Sequence, residues 1–161
     1  IRKFAKQNID YLIIECMAVQ PQYQWISEQK MIKSNIGVIT NVRPDHLDEM
    51  GSTMEDIALS LSNTIPFNGT LVTAEKDVLE PLERVAISRN SDVQLVDSES
   101  ISKKYMDKFP FLEHSENVAL ALQVCKDAGV SEESALSGML KTNPDGAKLF
   151  AIKKKFLILK I

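Results

Sequence analysis

Apolar residues gather along this chain in two ways. In short continuous runs bounded by polar residues, at Tyr11 to Cys16, Ile36 to Thr40 and Thr70 to Thr73, they have the pattern of strands buried on both faces of a parallel sheet. Val93 to Val96 predicts a shorter fourth strand, and the Asn68-Gly69 pair supplies a turn ahead of Thr70. Elsewhere the apolar positions recur at helical spacing. Met54, Ile57, Ala58 and Leu61 share one face, with Thr53 placed to cap the first turn and Pro66 limiting the end. Val78, Leu82, Val85 and Ala86 predict another helix with Pro81 in its first turn. Val118, Leu120, Ala121, Leu122 and Val124 predict an apolar helix from Glu116 to Ala128, closed by Gly129 in a left-handed cap, and a further helix runs from Ser131 to Leu140. Phe156 to Ile161 reads as a last strand, and Lys153-Lys154-Lys155 as a solvated turn before it.

Strands alternating with helices predict an α/β fold: a mostly parallel sheet flanked by helices, with a helical hairpin after the sheet. At 161 residues, 44% hydrophobic and 25% charged, the chain suits one domain with a substantial core. We expect that domain to occupy residues 1–150, with 151–161 starting the next strand or a linker towards a further domain. The chain opens at Ile1 within charged, helix-like sequence and stops at Ile161 within a strand-like run, so both ends are expected to be cuts in a longer protein.

The net charge of -3 gives no basic footprint, which argues against nucleic acid as a partner. Cys16 and Cys125 form no C-x-x-C pair, so a zinc cluster, a redox dithiol and a disulfide framework are all disfavoured, and a reducing cytoplasm is the simplest setting. Runs such as Tyr11 to Ile14 and Phe156 to Leu159 are too short to span a bilayer, and no signal peptide opens the chain. Asn68-Gly69-Thr70 spells a glycosylation sequon and reads here only as a turn.

In parallel α/β sheets ligands bind at the carboxyl ends of the strands, which directs attention to two of them. The first strand delivers Glu15; the second delivers Thr40 and Asn41, with Asp45 and His46 in the loop that follows. A carboxylate and an imidazole at one sheet edge would suit a divalent cation already held by nucleotide phosphates, because magnesium needs few protein ligands when phosphate and water supply the rest. The same residues also suit a helix cap, a salt-bridge partner and a hydrogen-bonded structural histidine. The sequence contains no H-E-x-x-H, no EF-hand loop at Asp45 to Glu49, no G-x-S-x-G and no G-x-G-x-x-G.

Thr40-Asn41 followed by Asp45-His46-Leu47-Asp48 and Gly51 resembles the signature of Mur ligases and folylpolyglutamate synthetases. Glu15 stands where those families place a metal-binding glutamate after a strand, and Asn117 opens an apolar helix as their adenine-side asparagine does. Within the superfamily, Ile14-Glu15-Cys16-Met17-Ala18-Val19-Gln20-Pro21, Trp25, Met31-Ile32-Lys33-Ser34 and Leu61-Ser62-Asn63-Thr64-Ile65-Pro66 look like the ligase subunits of bacterial, capsule-forming poly-γ-glutamate synthases. The resemblance implies the P-loop-NTPase-like central domain of a Mur ligase, incomplete at both ends. It implies an ATP-dependent amide ligase that activates a glutamate γ-carboxylate as an acyl phosphate, uses ATP and Mg2+, and extends a poly-γ-glutamate chain. It further implies a cytoplasmic protein held at the inner face of the membrane by partner subunits. By the same carry-over Glu15 and His46 would hold the metal and Asp45 would orient His46 or its loop. Asn41 would bond a metal-bound water or serve as a turn residue, and Asn117 would contact adenine or ribose or cap the Val118 helix. Another Mur- or folylpolyglutamate-type ligase, or a truncated non-catalytic binding module, are the alternatives.

Three departures from the family pattern shape these expectations. No G-x-x-x-x-G-K-[ST] occurs, so the phosphate loop is expected ahead of Ile1, and the piece alone is expected to be inactive. Mur ligases carry a carbamylated lysine after the aspartate-histidine segment, whereas no lysine lies between Lys33 and Lys76 and Ser60 and Ser62 occupy that neighbourhood; one metal is expected, not two. The family's histidine-asparagine pair ahead of the adenine-side asparagine is here Glu113-His114, which puts nucleotide contacts by His114 in question.

Overall fold

The computed structural model describes residue 6, residues 8–109 and 111–142, and the backbone of the strand at 156–160. The expected lysine turn at 153–155 lies outside the described residues. The chain forms two compact units, Ile1–Met17 with Lys141–Ile161, and Ala18–Leu140.

In the first unit β1, Tyr11–Glu15, pairs in parallel with β2, Phe156–Lys160, in the register Tyr11 to Phe156 through Glu15 to Lys160. Burial alternates along β1, and Tyr11, Ile13 and Glu15 are exposed. The expectation of a strand buried on both faces is therefore corrected here: an apolar run reveals a preference for extended backbone but not how many layers cover it.

The second unit opens with α1, Pro21–Ile26, which has proline at its start, where the missing N–H costs nothing. It runs on into π-helical turns at Ser27–Ile32 and stops at Lys33, whose left-handed φ of 54° breaks the winding. Three parallel strands follow, β3 (Ile36–Ile39), β4 (Thr70–Thr73) and β5 (Asp92–Leu95), in the order β3-β4-β5. The central strand is the one buried on both faces, with Leu71 and Val72 at 0% exposure, whereas Val38 on β3 and Leu95 on β5 are exposed.

Between β3 and β4 lie the short α2 (Leu47–Met50) and α3 (Met54–Leu61), the latter ending in a 3-10 turn at Ser62–Thr64. Thr53 caps α3 as expected, and the cap is reciprocal: Thr53 Oγ1 accepts from Asp56 N–H and Asp56 Oδ2 accepts from Thr53 N–H, each at 3.1 Å. Between β4 and β5 lies α4 (Leu79–Ser88), with Pro81 in its first turn. After β5 come α5 (Lys103–Met106), α6 (Ser115–Asp127) and α7 (Glu132–Met139). Gly129 ends α6 at φ 71°, and Val130 N–H reaches back to Cys125 C=O at 2.8 Å, the geometry of a glycine-closed helix end.

Two apolar clusters hold these layers together. Ile57, Ala58, Leu82 and Ala86 from α3 and α4 pack with Leu71 of β4 and Ile39 of β3. Ala119 and Leu120 of α6 pack with Val72 of β4 and with Val96. Because adjacent residues of a strand point to opposite faces, Leu71 and Val72 commit β4 to a helical layer on each side.

Candidate active site

The loop after β3 is shaped from below. Val42 is 2% exposed and belongs to the core, so the chain dips back inward directly after Thr40 and Asn41, which are exposed. Thr73, at the end of β4, donates its hydroxyl to Ile39 C=O at 2.7 Å and accepts from Glu75 N–H at 3.1 Å. Glu75 Oε2 accepts from Val42 N–H at 2.8 Å. The loop is thereby fastened to the next strand end before it rises to its apex.

At that apex Asp45 Oδ1 accepts from His46 N–H at 2.9 Å and lies 3.7 Å from His46 Nε2. His46 takes a left-handed conformation, φ 46° and ψ 47°, which is uncommon for a residue with a β-carbon. Its carbonyl accepts from Glu49 and Met50 N–H, each at 2.9 Å, and so starts α2. Local strain of this kind, held by a side-chain clamp on one side and a helical turn on the other, presents the imidazole to solvent, with the side chain 51% exposed.

Gly51 closes the segment at φ 108° and ψ 167°, a region reserved for glycine. An added Cβ would stand 2.3 Å from Asp56 Cβ, against the residue that completes the α3 cap. Hydrogen bonds from Thr53, first through its side chain and then its backbone, hold the Asp56 carboxyl below its ordinary value. Gly51→Ala is expected to destabilise the protein by about 1–3 kcal/mol, read as a lower urea midpoint with an unchanged slope.

Glu15 is exposed at the carboxyl end of β1 and belongs to the first unit, whereas Asn41, Asp45 and His46 share one loop of the second. Asn117 is exposed in the first turn of α6, where its Nδ2 donates to Glu113 Oε1 at 2.9 Å. The same carboxylate oxygen accepts from His114 N–H at 2.9 Å, and His114 is the residue that precedes the helix. Asn117 therefore does not cap α6; Glu113 occupies its amide nitrogen.

An exposed imidazole with a carboxylate beside it, as at His46 and Asp45, suits a magnesium ion that keeps phosphate and water among its ligands. Among the described residues no three His, Cys, Asp or Glu side chains gather into a metal-binding group. In the neighbourhood where the family pattern has its lysine, Ser60 and Ser62 are held by hydrogen bonds. Ser60 is buried and donates to Gln24 Oε1 at 3.3 Å, while Ser62 donates to Leu59 C=O at 2.6 Å. Gln24, 1% exposed, in turn donates to the carbonyls of Ala18 and Val19, at 3.2 and 3.1 Å. Neither Gln24 nor Glu75 stands out in the sequence, because the signal for each is a partner far along the chain.

Residues 1–142 match the family described as Mur ligase middle domain. The chain is 43% identical over 145 residues to the capsule biosynthesis protein CapB of Bacillus anthracis, covering 90% of this chain and 31% of that protein. It is 39% identical over 145 residues to the PGA synthase CapB of Bacillus subtilis (strain 168), covering 90% of this chain and 37% of that protein. It thus spans about a third of the length of these curated relatives. Among solved structures, a folylpolyglutamate synthase from Thermotoga maritima superposes with a TM-score of 0.62 at 19% identity, over 95% of this chain and 40% of that one. E. coli FolC in complex with DHPP and ADP does so with a TM-score of 0.60 at 19% identity, over 76% of this chain and 33% of that one. The parallel sheet between helical layers, the Thr40 to Gly51 loop at its carboxyl edge and the match over residues 1–142 agree, and the chain belongs to the Mur ligase family through its middle domain.

Proposed function

We propose that the protein this chain belongs to is an ATP-dependent amide ligase that joins glutamate units through the γ-carboxylate, building poly-γ-glutamate for a capsule. The observation that carries this reading is the 43% identity to the Bacillus anthracis capsule protein over 90% of this chain, a stretch that includes most of the elements described above. In this reading the γ-carboxylate is activated as an acyl phosphate by ATP, and an amine displaces the phosphate to leave the amide.

Glu15 and His46 are the residues that would hold magnesium. When bound, that cation neutralises charge on the transferring phosphoryl group and on the acyl-phosphate oxygens, which is electrostatic catalysis. Asp45 fixes the His46 backbone through the amide and keeps a carboxylate beside the ring. Asn41, exposed at the carboxyl end of β3, serves a metal-bound water or the loop, and Asn117, drawn towards Glu113, serves the adenine side. We assign a single metal, because Ser60 and Ser62 occupy the neighbourhood in which the family pattern has its carbamylated lysine. Among the described residues no helix is long and apolar enough to cross a membrane, and we assign attachment at the cytoplasmic face of the membrane to partner subunits.

The test is release of ADP by the full-length protein with its partner subunits, in the presence of Mg-ATP and with glutamate as the only acceptor. Glutamate-dependent ADP release with a γ-linked product is the expected result. Release only with a folate or a nucleotide-linked peptide would overturn the polyglutamate reading and leave a different ligase of the same family.

A further inference from the structure

Glu75 is a buried carboxylate with an unusual set of partners. It is 7% exposed, and none of the ion pairs among the described residues includes it. Both of its oxygens are instead taken by main-chain amides. Oε1 accepts from Asp77 N–H at 2.8 Å and from Val78 N–H at 3.3 Å, which closes the turn leading into α4. Oε2 crosses to the neighbouring strand end and accepts from Val42 N–H at 2.8 Å, between residues 33 apart in sequence. Burying a charge is costly, and the local turn alone does not call for a side chain as long as glutamate: an aspartate or asparagine closes such a turn from its own side chain. What glutamate adds is the reach to Val42. That reach ends on the buried base of the loop whose apex carries Asp45 and the strained His46.

We infer that Glu75 is a positioning residue for the loop that carries the proposed metal residue His46, holding Asn41 to His46 at the carboxyl edge of the sheet through its bond to Val42. This rests on the proposed ligase reading for what the loop binds, but not for how the loop is held. Glu75 works through the backbone, so its loss loosens the presentation of His46 without removing any donor. The two halves of the carboxylate separate its two duties. Glu75→Asp keeps the local bonds to Asp77 and Val78 but is too short to span to Val42. Glu75→Gln keeps the length and offers one acceptor in place of two.

The experiment uses the full-length protein and reads three quantities for wild type, Glu75→Asp and Glu75→Gln. These are amide hydrogen exchange over residues 40–50 without nucleotide, Mn2+ affinity by electron paramagnetic resonance, and the metal dependence of turnover. In Glu75→Asp we expect faster exchange over residues 40–50, Mn2+ bound about tenfold more weakly, and turnover that recovers at high metal while KM for glutamate stays at its wild-type value. Glu75→Gln, whose one oxygen serves either Val42 or the turn, is expected to lie between Glu75→Asp and wild type. Glu75→Asp keeps the local turn and is expected to melt only a few degrees below wild type, the cost of leaving the Val42 N–H unpaired, so it remains assayable if Glu75→Gln is not. A lower melting temperature in Glu75→Asp with unchanged exchange and unchanged Mn2+ affinity would overturn the inference and leave Glu75 a helix cap. If the wild-type protein shows no turnover with glutamate, the polyglutamate reading fails, while the exchange and Mn2+ measurements still decide the role of Glu75.

Discussion

His46→Ala in the full-length protein is expected to lower metal-dependent turnover by about 10²–10³-fold, the usual loss when one group that stabilises developing charge is removed. The fold is expected to survive, because the imidazole is half exposed and stands beside the exposed Asp45. The backbone offers a sharper form of the test. His46 sits at φ 46°, where any residue with a β-carbon is strained and glycine is not, so His46→Gly removes the imidazole while relieving the loop. A loss shared by the alanine and glycine variants belongs to the ring. A loss in alanine alone belongs to the loop conformation. Glu15→Gln, which keeps the shape of the side chain and removes its charge at the end of β1, is expected to lose turnover on the same scale. The assay is coupled ADP release across a magnesium titration, with thermal melting as the control for folding. Wild-type turnover in either the His46 or the Glu15 variants would remove that residue from the metal site.

The parts of this architecture that the sequence announces are those whose signals are local. Thr70 to Thr73 is a strand with the bounds its apolar run predicts, and Thr53 and Gly129 mark helix ends because a cap and a left-handed glycine act within a single turn. The segment Pro21–Ile32 is silent for the opposite reason. Its buried residues are Gln24 and Glu28, while Tyr23, Ile26 and Met31 are exposed, so the amphipathic pattern is inverted and no helical periodicity appears. Strand burial is overestimated at β1 and at the edge strand β3, since a buried central strand and a half-exposed edge strand share the same apolar composition. At the candidate site the loop from Asn41 to His46 is legible because its chemistry is contiguous. Glu75 is not, since only the folded sheet brings the ends of β3 and β4 side by side. Asn117 also reads as a helix cap in the sequence; in the fold its amide nitrogen donates to Glu113 instead of capping the helix, a partner that the sequence alone does not announce.

Arg89→Ala is expected to be the most destabilising surface-to-core substitution at the opposite, amino-terminal end of the strands, by about 2–4 kcal/mol. Arg89 is 8% exposed, and its Nη1 donates to Ser62 C=O at 3.0 Å, to Asn63 C=O at 3.2 Å and to Ile65 C=O. These carbonyls end α3 and its 3-10 turn, and a helix end buried without donors leaves acceptors that water cannot reach. Burial lowers the affinity of the guanidinium for its proton, and the charge of Glu28 opposes that effect in part. Its plane lies over Phe67, 5.4 Å from the ring centroid. The carbonyls it holds lead into Pro66, against which Gly37 and Gly69 leave no room for a side chain: an added Cβ would meet Pro66 at 2.8 Å from either position. Arg89 therefore holds the turn that brings Pro66 against Gly37 and Gly69 at the start of β3 and β4. Urea denaturation of the full-length protein checks the expectation through a lower midpoint with an unchanged slope. Arg89→Met restores the packing of the side-chain stem but none of the donors, and is expected to recover only part of the loss. Full recovery would mean that desolvating the charge costs as much as its hydrogen bonds return, and would overturn the account. Because the candidate loop lies at the other end of the strands, turnover well below the melting temperature is expected to stay near wild type in both Arg89 variants, in contrast with His46.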